Sequence, residues 1–180
     1  MTGRPKMYNK RWRGGGKVDF QDIIFKLDRF WARQGCALLP PGAAGLPGPL
    51  SLAGAAARGE LAPDGLPGRY RYRVLMRPAP ADVRRLFLNS IKETGIDRAE
   101  HDLRWLSGEG GPAGWQVLLD GLPLAVFRYL DPPAARSAAG AEIGISLERL
   151  AMVSQRKKRA ADLAWSGRLT YGALHAGEAA

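Results

Sequence analysis

Arg69-Tyr70-Arg71-Tyr72-Arg73 sets guanidinium groups and phenol rings in strict alternation ahead of Val74, Leu75 and Met76. Read as a strand, the segment turns three cations to one face and two rings to the other, because side chains alternate along extended backbone. Arginine with tyrosine suits stacking on bases and pairing with phosphates. The pattern equally describes a half-buried antiparallel strand whose tyrosine face packs and whose arginine face is solvated, and both readings stand. A second cationic run, Arg156-Lys157-Lys158-Arg159, closes a stretch of helical spacing, where it complements the dipole of the helix end whether or not RNA contacts it. A third lies in residues 1–18, which carry Arg4, Lys6, Lys10, Arg11, Arg13 and Lys17 and no acid. Gly3, Pro5 and Gly14 to Gly16 break any helical period there, so this arm is expected to stay disordered until it meets a partner.

The arm holds six of the ten net positive charges of the 180-residue chain. A pI near 10.3 favours polyanionic partners, RNA or DNA ahead of an anionic membrane. One cysteine, Cys36, and two histidines, His101 and His175, are too few for an internal disulfide or an ordinary zinc site, so no metal is expected. Cys36 reads as a small buried apolar residue, and His101, between Glu100 and Asp102, as a surface or capping residue. Gly14-Gly15-Gly16-Lys17 lacks the spacing and the following hydroxyl of a phosphate loop. With mean hydropathy of -0.23 and no long apolar run, a membrane span is not expected and a soluble, cytoplasmic protein is. An organelle matrix is less favoured, because the arm lacks the serines and amphipathic spacing of a transit segment.

Elements must hold these groups in place. Phe20, Ile23, Ile24, Leu27, Phe30 and Trp31 form one apolar stripe at helical spacing, with Asp19 as cap and Gly35 as stop. Cys36 to Leu39 reads as a short buried strand. Residues 40–68 hold seven Gly and six Pro among repeated Ala, which predicts a long flexible loop. A helix is predicted from about Pro80 to Thr94, and a hairpin from Trp115–Leu119 and Leu122–Tyr129 around Asp120-Gly121. A third helix is predicted from Ser146 to Arg159, and residues 173–180 should fray. Trp105, Trp115 and Trp165 read as core. The sum is an α+β domain over residues 19–172, an antiparallel sheet with helices against it.

Phe20-Gln21-Asp22-Ile23-Ile24, Phe30-Trp31-Ala32 and Gln34-Gly35-Cys36 resemble the opening helix of the bacterial glycyl-tRNA synthetase alpha subunit, a class II aminoacyl-tRNA synthetase. Val74 to Pro78, Gly95-Ile96-Asp97, Glu100-His101-Asp102, Gly114-Trp115, Leu119-Asp120-Gly121, Glu142-Ile143, Leu147 to Met152, Asp162-Leu163 with Trp165, and Thr170-Tyr171-Gly172 are similar to that family's later blocks, in the same order. The resemblance implies the class II antiparallel sheet flanked by helices, in reduced form. It implies ATP-dependent activation of glycine, with Mg, and transfer to tRNA beside a separate beta subunit. It makes Arg149, in Leu147-Glu148-Arg149-Leu150, the counterpart of the third-motif arginine that grips the gamma phosphate. Arg58-Gly59-Glu60 has the Arg-x-Glu spelling of the second motif, whose arginine grips the alpha phosphate.

The chain also departs from the family. The Gly, Pro and Ala segment stands where an ordered second-motif strand should precede Arg69. Pro123, Ala125 and Val126 replace polar pocket residues after the Asp120-Gly121 turn. Ser146 replaces a third-motif glycine, and a counterpart of the family's C-terminal helical domain is not expected. Losing one electrostatic anchor costs roughly two to three orders of magnitude in rate. The expectation is therefore a truncated, degenerate paralogue without cofactor, acting as a binding or assembly subunit on nucleic acid or a ribonucleoprotein. The arm, Arg69, Arg71 and Arg73, and Arg156 to Arg159 are its candidate contacts, and a homodimer or sister subunit is a further possible partner. The alternatives are a working glycine–tRNA ligase, or glycine ligase to another acceptor, completed by a partner and using ATP with Mg, and a regulatory subunit that binds protein only.

Overall fold

The apolar stripe beginning at Phe20 folds as α1 (Phe20–Arg33) and buries Phe20, Ile23, Ile24, Leu27, Phe30 and Trp31. The structure, a computed structural model, describes residues 18–39, 55–60, 68–107, 114–130 and 139–176, and of 55–60 the course of the backbone alone. Asp19 starts α1 with a reciprocal cap: its carboxylate accepts from Asp22 N at 2.8 Å, and Asp22 accepts from Asp19 N at 3.3 Å. Two otherwise unpaired donors of the first turn are thereby satisfied.

Behind α1 the chain forms β1 (Ala37–Leu39), β2 (Ala55–Glu60), β3 (Tyr70–Met76), α2 (Val83–Glu93), β4 (Leu103–Ser107), β5 (Gly114–Leu119), β6 (Leu122–Leu130) and β7 (Gly140–Ser146). There follow α3 (Leu147–Ser154), a tight helical turn at Ala160–Asp162, β8 (Ala164–Ser166), β9 (Leu169–Thr170) and α4 (Tyr171–Leu174). The first seven strands make one sheet in the order β1-β2-β3-β7-β6-β5-β4. Every neighbouring pair is antiparallel except β1 with β2. The expected α+β architecture is the one observed.

Register divides the sheet into two faces. Tyr72, Val74 and Met76 of β3, Ile143 and Ile145 of β7, and Phe127 of β6 are buried in one core with α1 and with Phe87 and Ile91 of α2. Each such large apolar side chain contributes about 1.5–3 kcal/mol when fully withdrawn from water. Tyr72 buries its ring and still donates its hydroxyl to Asp28 of α1 at 2.9 Å. Arg71, Arg73, Glu142, Gly144, Ser146, Val126 and Arg128 alternate with these residues and belong to the opposite face. The tryptophans are core-packed as expected. Trp165 stacks on Phe20 at 4.6 Å, while Trp105 meets Phe87 at 5.8 Å and lies with Trp115 beneath the guanidinium of Arg84.

Four expectations are corrected. Residues 40–68 are not one continuous loop, because 55–60 form β2 along β3; composition argues against a ladder there, but an ordered neighbour on each side supplies partners for its backbone. The Cys36–Leu39 strand is not buried: Cys36 is, but β1 is an edge strand and Leu38 is exposed. The third helix stops at Ser154, and Arg156 takes a left-handed φ of 54° that no helix continues through. The C-terminal end is ordered further than expected, since α4 carries the fold to Leu174 and the His175 ring packs on Tyr171 at 4.5 Å. Arm residues 1–17 and the last four residues, 177–180, lie outside the described residues.

The Asp120-Gly121 hairpin stands as expected, with φ of 51° and 76°. Asp120 also ties the turn to the chain before β4, accepting from Asp102 N at 2.9 Å and pairing with His101 Nδ1 at 2.7 Å. A Cβ added at Gly121 would meet nothing within 4 Å, so only its backbone conformation resists substitution. Gly121→Ala is expected to cost about 1 kcal/mol, read as a lower midpoint in urea unfolding with unchanged slope.

Candidate functional site

The site begins where β7 ends. Ser146 caps α3, its hydroxyl accepting from Arg149 N at 3.4 Å, and Glu148 follows in the first turn, almost fully buried. One oxygen of Glu148 accepts three hydrogen bonds: from Arg69 N at 2.8 Å, Tyr70 N at 2.9 Å and the Tyr171 hydroxyl at 2.8 Å. Its other oxygen is buried with no hydrogen-bond partner among the described residues, and a Cβ at Gly68 would come within 2.5 Å of it. Glycine at 68, with φ of 113°, is therefore required twice over. Burial, and then the carboxylate beside it, push the Tyr171 hydroxyl far above the usual phenol range, so it stays protonated and donates. Phe20, Tyr70, Trp165, Tyr171 and His175 pack around this contact, and the Tyr70 hydroxyl lies 3.3 Å from His175 Nε2.

On the sheet face turned away from α1 and α2, Glu142 lies between two arginines. Arg73 of β3 donates its Nε at 3.0 Å and also its terminal nitrogen to one oxygen. Arg128 of β6 donates Nε at 2.8 Å to the other. Burial raises the Glu142 carboxyl, but its hydrogen bonds and charge pairing with both guanidinium groups outweigh this and hold it below the ordinary glutamate range. The cluster keeps one positive charge in excess. Val126, paired with Gly144, leaves the floor beside it apolar.

The candidates read from the sequence are distributed rather than gathered. Arg149 is half-buried; its guanidinium reaches Met152 Sδ at 3.8 Å and makes no ion pair among the described residues. Arg58 and Glu60 stand opposite Tyr72 and Tyr70 in the register, while Gly59 stands opposite Arg71. The alternation of Arg71 and Arg73 with the tyrosines is observed, but Arg71 is only 1% exposed and engaged in contacts, so it presents no surface to a large partner. Arg73 is committed to Glu142, and Arg69 N to Glu148. Arg156, Lys157, Lys158 and Arg159 are all exposed on the loop after α3. Arg4, Lys6, Lys10, Arg11, Arg13 and Lys17 lie outside the described residues. No cluster of metal-ligating side chains occurs among the described residues. The residues missed in the sequence are Glu142 and Arg128, which strand register brings together, and Glu148 and Tyr171, which meet where α3 and α4 fold onto the start of β3.

The profile of the glycyl-tRNA synthetase alpha subunit matches residues 55–179, which run from β2 to beyond α4. The chain belongs to that family. Its fold is similar to two solved structures. One is the crystal structure of pyrrolysyl-tRNA synthetase from Desulfitobacterium hafniense, with a TM-score of 0.54 and 14% identity over 85% of this chain and 75% of that one. The other is Desulfitobacterium hafniense PylSc, a pyrrolysyl-tRNA synthetase, with a TM-score of 0.55 and 13% identity over 83% and 74%. At such identity the likeness shows the class II sheet with flanking helices. The family match thus covers the expected blocks from β2 onward, while the resemblance read in residues 20–36 lies outside the matched residues.

Two outcomes follow for this alpha-subunit domain. Glu148→Ala strands two backbone donors and a tyrosine hydroxyl in the interior; it is expected to cost about 3–5 kcal/mol, read by chemical denaturation, with Glu148→Gln losing less. For Glu142, the folded carboxyl titrates below the unfolded one, whose ordinary value is 4.5. Its contribution is present above that value and disappears as acidification passes through the folded pKa. Glu142→Gln should therefore lower stability at neutral pH, by a difference that shrinks as the pH falls below about 4.5.

Proposed function

We propose that this glycyl-tRNA synthetase alpha-type domain serves as a nucleic-acid or ribonucleoprotein binding and assembly subunit and does not itself activate glycine. The observation that carries this reading is the state of Glu142. Adenylation needs cations free to receive a triphosphate and a polar pocket for an ammonium group, since attack on the alpha phosphorus gains mainly from positioning and charge stabilisation. On this face both guanidinium groups are already bound to the buried carboxylate of Glu142, so neither faces a phosphate unpaired and only one positive charge is left over. Val126 beside them offers no acceptor, and Ala125, 0% exposed, belongs to the core. Arg149 alone is a weak grip on ATP. Fold and activity are separable, and a retained core with a self-satisfied site is what such a separation leaves.

One observation favours a second reading, an active glycine–tRNA ligase alpha subunit using ATP and Mg with a partner subunit. β2 carries the Arg58-Gly59-Glu60 sequence and runs antiparallel to β3, a strand pair that the composition of 40–68 argues against. The two readings differ in one assay. Glycine-dependent exchange of pyrophosphate into ATP by the purified chain, alone and with a beta subunit, is expected to stay at background. Exchange that Arg149→Ala and Arg58→Ala each reduce by roughly two orders of magnitude would establish the ligase instead. A regulatory subunit for protein partners only would bind a sister protein and leave RNA unbound.

A further inference from the structure

Arg156 adopts φ of 54°, a left-handed conformation that costs a side-chain-bearing residue and that glycine takes freely. It is the residue after the C-cap of α3, where glycine is the common occupant. The conformation is enforced from both sides. Arg156 N donates to Val153 O at 3.1 Å and Lys157 N to Met152 O at 2.8 Å, the bonding of a Schellman stop. Buried Gln155 clamps the loop to β8, donating to Ala164 O at 3.0 Å and accepting from Ala164 N at 2.7 Å. Downstream, Asp162 N bonds Arg159 O at 3.2 Å and Leu163 is fully buried.

Four consecutive cations are thus displayed on a pinned loop. Arg159 approaches Asp162 at 3.6 Å, whereas Arg156, Lys157 and Lys158 make no ion pair among the described residues. The helix dipole accounts for one cation near the last turn. It does not account for an arginine at a left-handed position or for three further exposed charges beyond it. Strain retained at an exposed position that glycine would relieve points to a use for the side chain. We infer that Arg156-Lys157-Lys158-Arg159 is a preorganised contact for the phosphodiester backbone of a nucleic acid. This rests on the binding reading and names where on the domain that contact lies. Pinned backbone reduces the ordering cost of binding, and consecutive exposed cations match a repeating phosphate charge.

The test is fluorescence anisotropy of the full chain with a labelled mixed-sequence single-stranded RNA and a duplex DNA, over a salt series. Lys157→Ala with Lys158→Ala is expected to weaken binding about tenfold at ~0.1 M salt and to flatten the slope of log affinity against log salt by roughly 1.5. Lys157→Arg with Lys158→Arg should preserve both. Arg156→Gly separates recognition from folding: it should bind more weakly while melting at the same or a higher temperature. Wild-type binding that the alanine pair and Arg156→Gly leave unchanged overturns this inference and spares the binding reading. Absence of nucleic-acid binding by the wild-type chain overturns both, and binding confined to phosphatidylserine vesicles overturns this inference in favour of a membrane.

Discussion

A single buried carboxylate closes this fold. Glu148 is contributed by the first turn of α3, yet what it holds is the beginning of β3 and the hydroxyl of Tyr171, elements separated from it by 78 and 23 positions. Three donors converge on one oxygen. A polar group so withdrawn from water is tolerated only when such donors replace its hydration. The consequence spreads outward: Gly68 must lack a side chain, the Tyr171 hydroxyl must keep its proton, and the rings of Phe20, Tyr70 and Trp165 gain a fixed edge to pack against. The site residues at the β7–α3 junction are positioned by this contact before any ligand is considered.

The two faces of the sheet solve different problems. Toward α1 and α2, alternating Tyr72, Val74, Ile143, Ile145 and Phe127 exclude water, and the capped helix covers them. On the other side, β7 lies between β3 and β6, so Glu142 meets Arg128 directly across one strand pair and Arg73 diagonally across the other. Two cations against one acid is a stable arrangement on a partly exposed face: the arginines keep water on one side and the carboxylate gains two charge-assisted bonds. That stability has a chemical cost. Cations held by an internal acid are offered less readily to a phosphate than cations that face solvent alone.

Much of this was legible in the sequence. The stripe from Phe20 to Trp31, the Asp-Gly turn and the Arg-Tyr alternation each follow from periodicity or local conformational preference, and each stands in the structure. The blocks shared with the synthetase family supplied the sheet. What stayed hidden depends on neighbours. Ala55-Ala56-Ala57 have little strand preference of their own, and β2 exists because β3 and β1 flank it. Arg71 reads as a surface cation, since nothing local says that the third strand of a seven-stranded sheet will bury it. The end of α3 is hidden for a related reason: helical spacing continues past Ser154, but Gln155 bonds across to β8 and takes the chain with it.

The placement of charge, more than its total, separates scaffold from function in this molecule. A net charge of +10 would be unremarkable if every cation answered an acid nearby. Arg104 and Arg85 do, through Asp102 and Asp82, and Arg73 and Arg128 share Glu142, so three of these four charges are answered within the fold. Those of Arg156, Lys157 and Lys158 meet no acid among the described residues, and they stand on a loop whose backbone is tied to α3 on one side and, through Gln155, to β8 on the other. Self-repulsion among adjacent cations opposes the compact state, and salt screens it only in part. A sequence that keeps such a run, and keeps an arginine where a glycine would be easier, places that repulsion where a polyanion relieves it.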